Sequence, residues 1–221
     1  MKVAVLISGK GSNLQALIQA ATAPDFPTEV IHVISNVSGA QGLAYAIRAG
    51  IPATVIDHRD HTNRLAFESV LDLCLRAAGT ELICLAGFMR LLTADFVAAW
   101  QDRILNIHPS LLPAFTGLHT HKRVLEAGVR FTGCTVHFVR PAVDAGPIIA
   151  QAVVPVLPED TSDLLAARVL EAEHRLYPLA LELVATGRAR VRRDVVDIDG
   201  AKSLPSQQSC FNPEGLRRGA L

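Results

Sequence analysis

The sequence predicts an α/β fold: a doubly wound, mostly parallel sheet with helices on both faces and a mixed C-terminal part. Three observations carry this. Strand-like apolar runs alternate with helix-like periodicity from residue 3 to residue 89. The runs are continuous in Val, Ile and Leu, as strands buried on both sides must be. A glycine turn, ISGKGSNL (7–14), joins the first run to the first helix.

The elements follow in order. VAVLI (3–7) is a β-branched strand, and NLQALIQAA (13–21) spaces its apolar residues like a helix. EVIHVISN (29–36) is a second strand, and GLAYAIRAG (42–50) a helix closed by Gly50. PATVI (52–56) is a strand, NRLAFESVLDLCLRAAG (63–79) a glycine-closed helix, and ELICLAGFM (81–89) a fully apolar strand. RILNIH (103–108) is a strand, HTHKRVLEAG (119–128) a helix, and GCTVHFV (133–139) a strand. The loop RPAVDAGP (140–147) leads to IIAQAVVPV (148–156), which pairs back as a hairpin. Residues 163–187 form a long helix that Pro178 should bend. Residues 201–221 lack periodicity and read as a flexible tail, leaving a single domain over 1–200.

The chain has 221 residues, half of them hydrophobic, so it can bury a sizeable core. Its formal net charge is zero, which argues against an electrostatic grip on nucleic acid or an anionic membrane. No run reaches the length of a membrane span, and the N-terminus reads as a buried strand with no signal peptide. A cytoplasmic protein is expected. Cys74, Cys84 and Cys134 sit in apolar contexts and Cys210 in the tail; none forms a CxxC pair, and disulfides are not expected.

In the glycine turn, Gly9 and Gly11 let backbone N–H groups converge, and Ser12 and Asn13 add donors at a helix N-terminus. That is an anion site, most often for phosphate. Leu14 stands where a dinucleotide fingerprint has its third glycine, the second strand ends in Ser35-Asn36 and not an acid, and no Walker lysine follows. A phosphomonoester therefore fits better than NAD or ATP. The bland alternative is a turn in which Ser12 or Asn13 only caps the helix.

RILNIHPSLLPAFTG (103–117) ends a strand with Asn106 and His108 two apart, hence on one face. An amide N–H beside an imidazole suits a carbonyl oxygen that is becoming negative; polar residues serving only the loop backbone are the alternative. Asp144, in VDAGP, is either ordinary turn chemistry or the carboxylate that favours the charged, acid form of His108. In a doubly wound sheet the loops after residues 7, 89, 108 and 139 could open into one crevice. His58 and His61 read as a solvated loop, His119 and His121 as weak metal spacing without a third ligand, His137 as a satisfied inner residue. No metal and no covalent nucleophile are expected.

SGKGSNLQALI, SN (35–36), LAGFMRLL, LNIHPSLLPAFTGLHTH, GCTVHFV, DAGPIIAQ and ARVLEAEHRLYP, in this order and spacing, resemble the phosphoribosylglycinamide formyltransferase family of purine synthesis. The resemblance runs to about residue 195 and implies a formyltransferase-like fold. It also implies a reaction. The amine of glycinamide ribonucleotide attacks the formyl carbon of the cosubstrate 10-formyltetrahydrofolate, giving formylglycinamide ribonucleotide and tetrahydrofolate. It implies catalytic roles for Asn106 (oxyanion donor), His108 (protonated acid) and Asp144 (holding His108 charged). It assigns the nucleotide to Gly11, Ser12 and Asn13 and to Leu170, Glu171, Ala172 and Glu173. It assigns the folate to Arg64, to Met89, Arg90, Leu91 and Leu92, to Asn106, and to the backbone of Arg140, Pro141, Ala142, Val143 and Asp144. A solvated helix face is the competing reading of Arg64 and of Glu173.

Formyltetrahydrofolate hydrolases share the catalytic segment, but they have less use for GKGSN and carry an extra N-terminal domain that this chain is expected to lack. Methionyl-tRNA formyltransferases carry an added RNA-binding domain for which length and charge leave no room. A phosphometabolite-binding module without catalysis is the non-enzyme alternative. Oligomeric state, a homodimer included, stays open.

Overall fold

The structure, a computed structural model, describes residues 1–200; the expected tail, with Cys210, lies outside the described residues. Strands β1 (Lys2–Ile7), β2 (Glu29–Ser35), β3 (Ala53–Val55), β4 (Leu82–Leu85) and β5 (Ile104–His108) pair in parallel. Strands β6 (Phe131–Phe138) and β7 (Ile148–Pro155) complete the sheet antiparallel. The order is β3-β2-β1-β4-β5-β6-β7. Strand order therefore reverses between β1 and β4, where doubly wound sheets open a crevice.

Helices cover both faces. Along one strand, neighbouring residues point to opposite sides, so both faces need apolar cover. Val3, Val5, Ile7, Cys84, Leu105 and Ile107 pack with α1 (Ser12–Ala21) and α6 (Ser162–Ala185). Ala4, Leu6, Ile83, Leu85 and Ile104 pack with Phe67 and Leu71 of α3 (Arg64–Ala77), with Phe96 of α4 (Ala94–Ala99) and with Trp100 just after it. Two short helices, α2 (Leu43–Arg48) and α5 (Thr120–Glu126), complete the layers. Caps fix the starts: Asn63, Thr93 and Thr161 accept from the backbone N–H of Ala66, Phe96 and Leu164. Among the described residues no helix is long and apolar enough to cross a membrane.

Several expectations need correction. The fourth strand stops at Leu85, not residue 89, because Gly87 turns away with φ 70°. The six-residue α4 is too short to display a helical period. A second, two-stranded sheet, β8 (Ala189–Arg192) with β9 (Val195–Ile198), turns on Arg193 and Asp194 at φ 51° and 63°. Those are the positive angles of a two-residue hairpin, formed without the usual Asn-Gly signal. Residues 58–60 form a 3₁₀ turn, with His58 half-buried against Asn36 and not simply solvated. Finally, Leu105 pairs with Phe138, so the loop after β6 leaves beside the start of β5 and not beside its end.

Candidate active site

On β5, Leu105 and Ile107 face α6, which turns Asn106 and His108 to the other side. Strand β6 sets His137 opposite Asn106 and Thr135 opposite His108. The loop 139–147 then folds back, Asp144 taking φ 52°. Its Oδ2 lies 3.3 Å from His108 Nδ1 and accepts the Gly117 N–H at 2.8 Å. On its other side, His108 Nε2 lies 2.9 Å from the Phe115 carbonyl oxygen. A carbonyl and an ionised carboxylate are both acceptors only. A ring carrying a proton on each nitrogen would serve both neighbours, whereas a neutral ring serves only one.

His137 has the opposite state. Its Nδ1 lies 2.9 Å from the Phe138 carbonyl and must donate. Its Nε2, 3.3 Å from Asn106 Nδ2, is left to accept. Burial lowers its pKa and His108 adds to this, against the Phe138 carbonyl and Asp144, so the ring stays neutral. Asp144 Oδ1 is 3.9 Å from Nε2, beyond hydrogen-bond reach. An accepting Nε2 fixes which end of the Asn106 amide carries the hydrogens. Asn106 thus keeps a second N–H for a ligand beside the His108 ring, suited to a developing oxyanion.

The segment after His108 is folded by its own polar groups. Thr135 Oγ1 donates to the Ser110 carbonyl at 2.7 Å and accepts from the Leu112 N–H at 3.1 Å. Gln151 Nε2 donates to the Leu112 carbonyl at 3.0 Å, and Ser110 Oγ to the Ala114 carbonyl at 2.6 Å. The Leu112–Pro113 peptide is cis. These bonds bring the Phe115 carbonyl back to His108.

Gly11, at φ 76°, caps α1 with no side-chain hydrogen bond. The capping reading of Ser12 and Asn13 therefore fails. Asn13 instead donates from Nδ2 to Glu173 Oε2 at 2.7 Å, while its Oδ1 is buried without a partner. Burial pushes the Glu173 carboxyl up to about 7, partly offset by the Asn13 bond. The surface reading of Glu173 fails with it, since Glu173 is only 6% exposed. Of the rest of that segment, Leu170 and Ala172 are half-buried and Glu171 is exposed.

The turn at 86–93 is pinned at both ends. Met89 N–H donates to Ser8 Oγ at 2.7 Å, and Ser8 donates on to Asn36 Oδ1. Thr93 binds the buried Glu68 through both its N–H and its hydroxyl. Between the pins, Met89 and Leu91 stand exposed, Arg90 and Leu92 half-exposed. Pro141, Ala142 and Val143 are exposed on the neighbouring loop. Arg64 is an exposed first residue of α3. The Arg140 side chain goes to Asp102 and Asp194.

Sequence reasoning missed four contributors. His137 alternates with Val136 and Phe138 like any inward strand residue. Tyr177 donates to the carbonyls of Leu85 and Leu105, 3.1 and 3.2 Å away, and ties β4 to β5 behind the site. Ser8 was read only as part of a turn. Gly42 lies against the phosphate-type loop: a Cβ on Gly11 would stand 2.5 Å from Gly42 Cα.

Comparison with known proteins completes the description. Residues 1–181 match the family model described as formyl transferase. The chain is 56% identical over 191 residues to a trifunctional purine biosynthetic protein adenosine-3 from Gallus gallus, covering 86% of this chain and 19% of that one. The chain thus spans about a fifth or less of the trifunctional relatives it matches. It is 43% identical to the phosphoribosylglycinamide formyltransferase of Haemophilus influenzae, covering 92% and 96% of the two chains. Among solved structures, glycinamide ribonucleotide transformylase 1 from Symbiobacterium toebii superposes with a TM-score of 0.87 at 48% identity, over 90% of this chain and 93% of that one.

Proposed function

Because the chain belongs to the formyl transferase family, we propose that residues 1–200 form one domain that transfers a formyl group from 10-formyltetrahydrofolate to the amine of 5-phosphoribosylglycinamide. The products are formylglycinamide ribonucleotide and tetrahydrofolate, as in de novo purine synthesis. The activity is the one in the name of the Haemophilus influenzae relative, which this chain matches over nearly its whole length.

The observation that carries the proposal is the His108 ring held between two acceptors, with the Asn106 amide beside it. The amine nitrogen forms a bond to the formyl carbon, and the formyl oxygen becomes negative. Asn106 N–H donates to that oxygen, and the protonated His108 ring, its Nε2–H turned from the Phe115 carbonyl to the substrate, donates beside it. The carbon–N10 bond then breaks. His108 delivers a proton toward N10, and the proton lost by the amine balances it; Asp144 holds the ring charged. Proton transfer of this kind is worth about 10²–10⁴-fold in rate.

Gly11, Ser12 and Asn13 bind the nucleotide's phosphate, and the orphaned Asn13 Oδ1 beside Glu173 suits a donor of the same ligand. Leu170, Glu171 and Ala172 border it. Met89, Arg90, Leu91 and Leu92 with the 140–144 backbone hold the pterin, and Arg64 the folate carboxylate. The reaction uses no metal, the partners are these two small molecules, and the setting is the cytoplasm.

A spectrophotometric assay with 10-formyltetrahydrofolate, run with and without glycinamide ribonucleotide, tests this. Nucleotide-dependent tetrahydrofolate release, with formylated nucleotide as product, is expected. Equal release without nucleotide would mean a hydrolase, and no release in either case a binding module or another acceptor.

A further inference from the structure

We propose that Arg140 is a positioning residue, clamping the loop that carries Asp144 to the turn before β5 and to the tip of the C-terminal hairpin. Three chain segments meet at its guanidinium. Nη2 donates to Asp102 Oδ1 at 2.7 Å, Nε to Asp194 Oδ1 at 2.9 Å, and Nη1 to the carbonyl of Val139 at 3.1 Å. Asp102 lies two residues ahead of β5, the strand of Asn106 and His108. Asp194 is the second residue of the β8–β9 turn. The Arg140 side chain is 15% exposed, although both carboxylates reach solvent.

The loop needs such an anchor. Between Arg140 and Asp144 every residue is exposed. Its tip is held by Asp144, through the Gly117 N–H and His108. Its root is held by Arg140. A planar fork that reaches two carboxylates and a carbonyl at once is a property of guanidinium; an ammonium on a flexible stem does not reproduce it. The hairpin, far along the chain from the reacting residues, thereby sets the path of the loop proposed to cover the pterin. The role proposed for Arg140 in that pocket is carried by its backbone, which leaves its side chain to hold the loop in place.

The activity arm of the test rests on the proposed formyl transfer, whereas the exchange arm does not. Arg140→Gln, Arg140→Lys and the exposed Asp194→Asn are compared with Arg192→Gln, which removes the hairpin's other ion pair, Arg192 with Asp197 at 3.4 Å. Backbone amides of residues 139–147 should exchange with solvent about fivefold faster in the first three variants and at the wild-type rate in Arg192→Gln. Unchanged exchange in Arg140→Gln and Asp194→Asn would overturn the clamp. In the transfer assay the KM for the formyl folate should rise about fivefold in Asp194→Asn while the KM for the nucleotide stays put. A matching rise in both constants, alongside a lower Tm, would make the contact a general structural one and also overturn it. If the wild type transfers no formyl group, the function proposal fails while exchange still decides the clamp.

Discussion

Glu173→Gln tests the energetic reading of the buried Asn13–Glu173 pair, proposed to border the nucleotide. Glu173 is buried and its carboxyl stands at about 7, against 4.5 for the free side chain. Between those values the folded protein holds a proton that the unfolded chain has released. Stability therefore falls as pH rises through that window, opposite to the usual carboxylate. At about 1.4 kcal/mol per pKa unit, ionising Glu173 costs the fold about 3 kcal/mol at about pH 8 and about 1 kcal/mol at about pH 5.5. The glutamine variant carries no charge and keeps an oxygen for the Asn13 amide. Its stability relative to wild type should improve by about 2 kcal/mol between those two pH values, or about 4–8 °C in Tm for a chain of this size. Urea and thermal unfolding of both proteins at the two pH values measure it. A stability difference that does not change with pH would refute the claim that burial, and not the Asn13 bond, dominates at Glu173.

Two further outcomes follow from the site. His108→Ala and Asp144→Asn should each lower turnover by about 10²–10⁴-fold while calorimetry still detects nucleotide binding; near-normal turnover in either would remove His108 from the acid role. Gly146→Ala would set a Cβ 1.7 Å from the Phe138 carbonyl oxygen, so the loop must shift, and a loss of about 3 kcal/mol or more in unfolding free energy is expected.

The parallel half of the fold was legible because burial on two faces leaves an unambiguous mark, the unbroken apolar run. The glycine turn was legible because of Gly11, whose φ of 76° other residues rarely adopt; Gly9 has no positive φ and open space where a Cβ would stand. Asn106 and His108 stood out by their two-residue spacing at a strand end. The direction of β6 was not legible, since a buried strand reads the same whether it pairs up or down. His137 was obscured for a related reason. Pattern tells that it points inward, but only the Phe138 carbonyl and the Asn106 amide reveal which nitrogen carries the proton. The partners of the Arg140 side chain were not legible, because they lie 38 and 54 residues away along the chain. The β8–β9 turn was invisible because Arg193 and Asp194 adopt positive φ without the glycine that would announce it.

The contact between Gly11 and Gly42 has a consequence for any map of this protein drawn from variants. Gly42 has an ordinary helical backbone, φ −59°, so its own conformation does not demand glycine. Its demand comes from across the gap: a Cβ there would meet Ile7 Cδ1 at 2.7 Å and Gly11 Cα at 3.0 Å. A side chain at 42 must displace the Ile7 side-chain tip and the loop backbone at Gly11. In a saturation scan Gly42 would score beside Gly11, although its own backbone angles suit any residue. Regions of intolerance in such a scan enclose more than the surface that touches substrate, and here the excess has an address: the residue that caps α2.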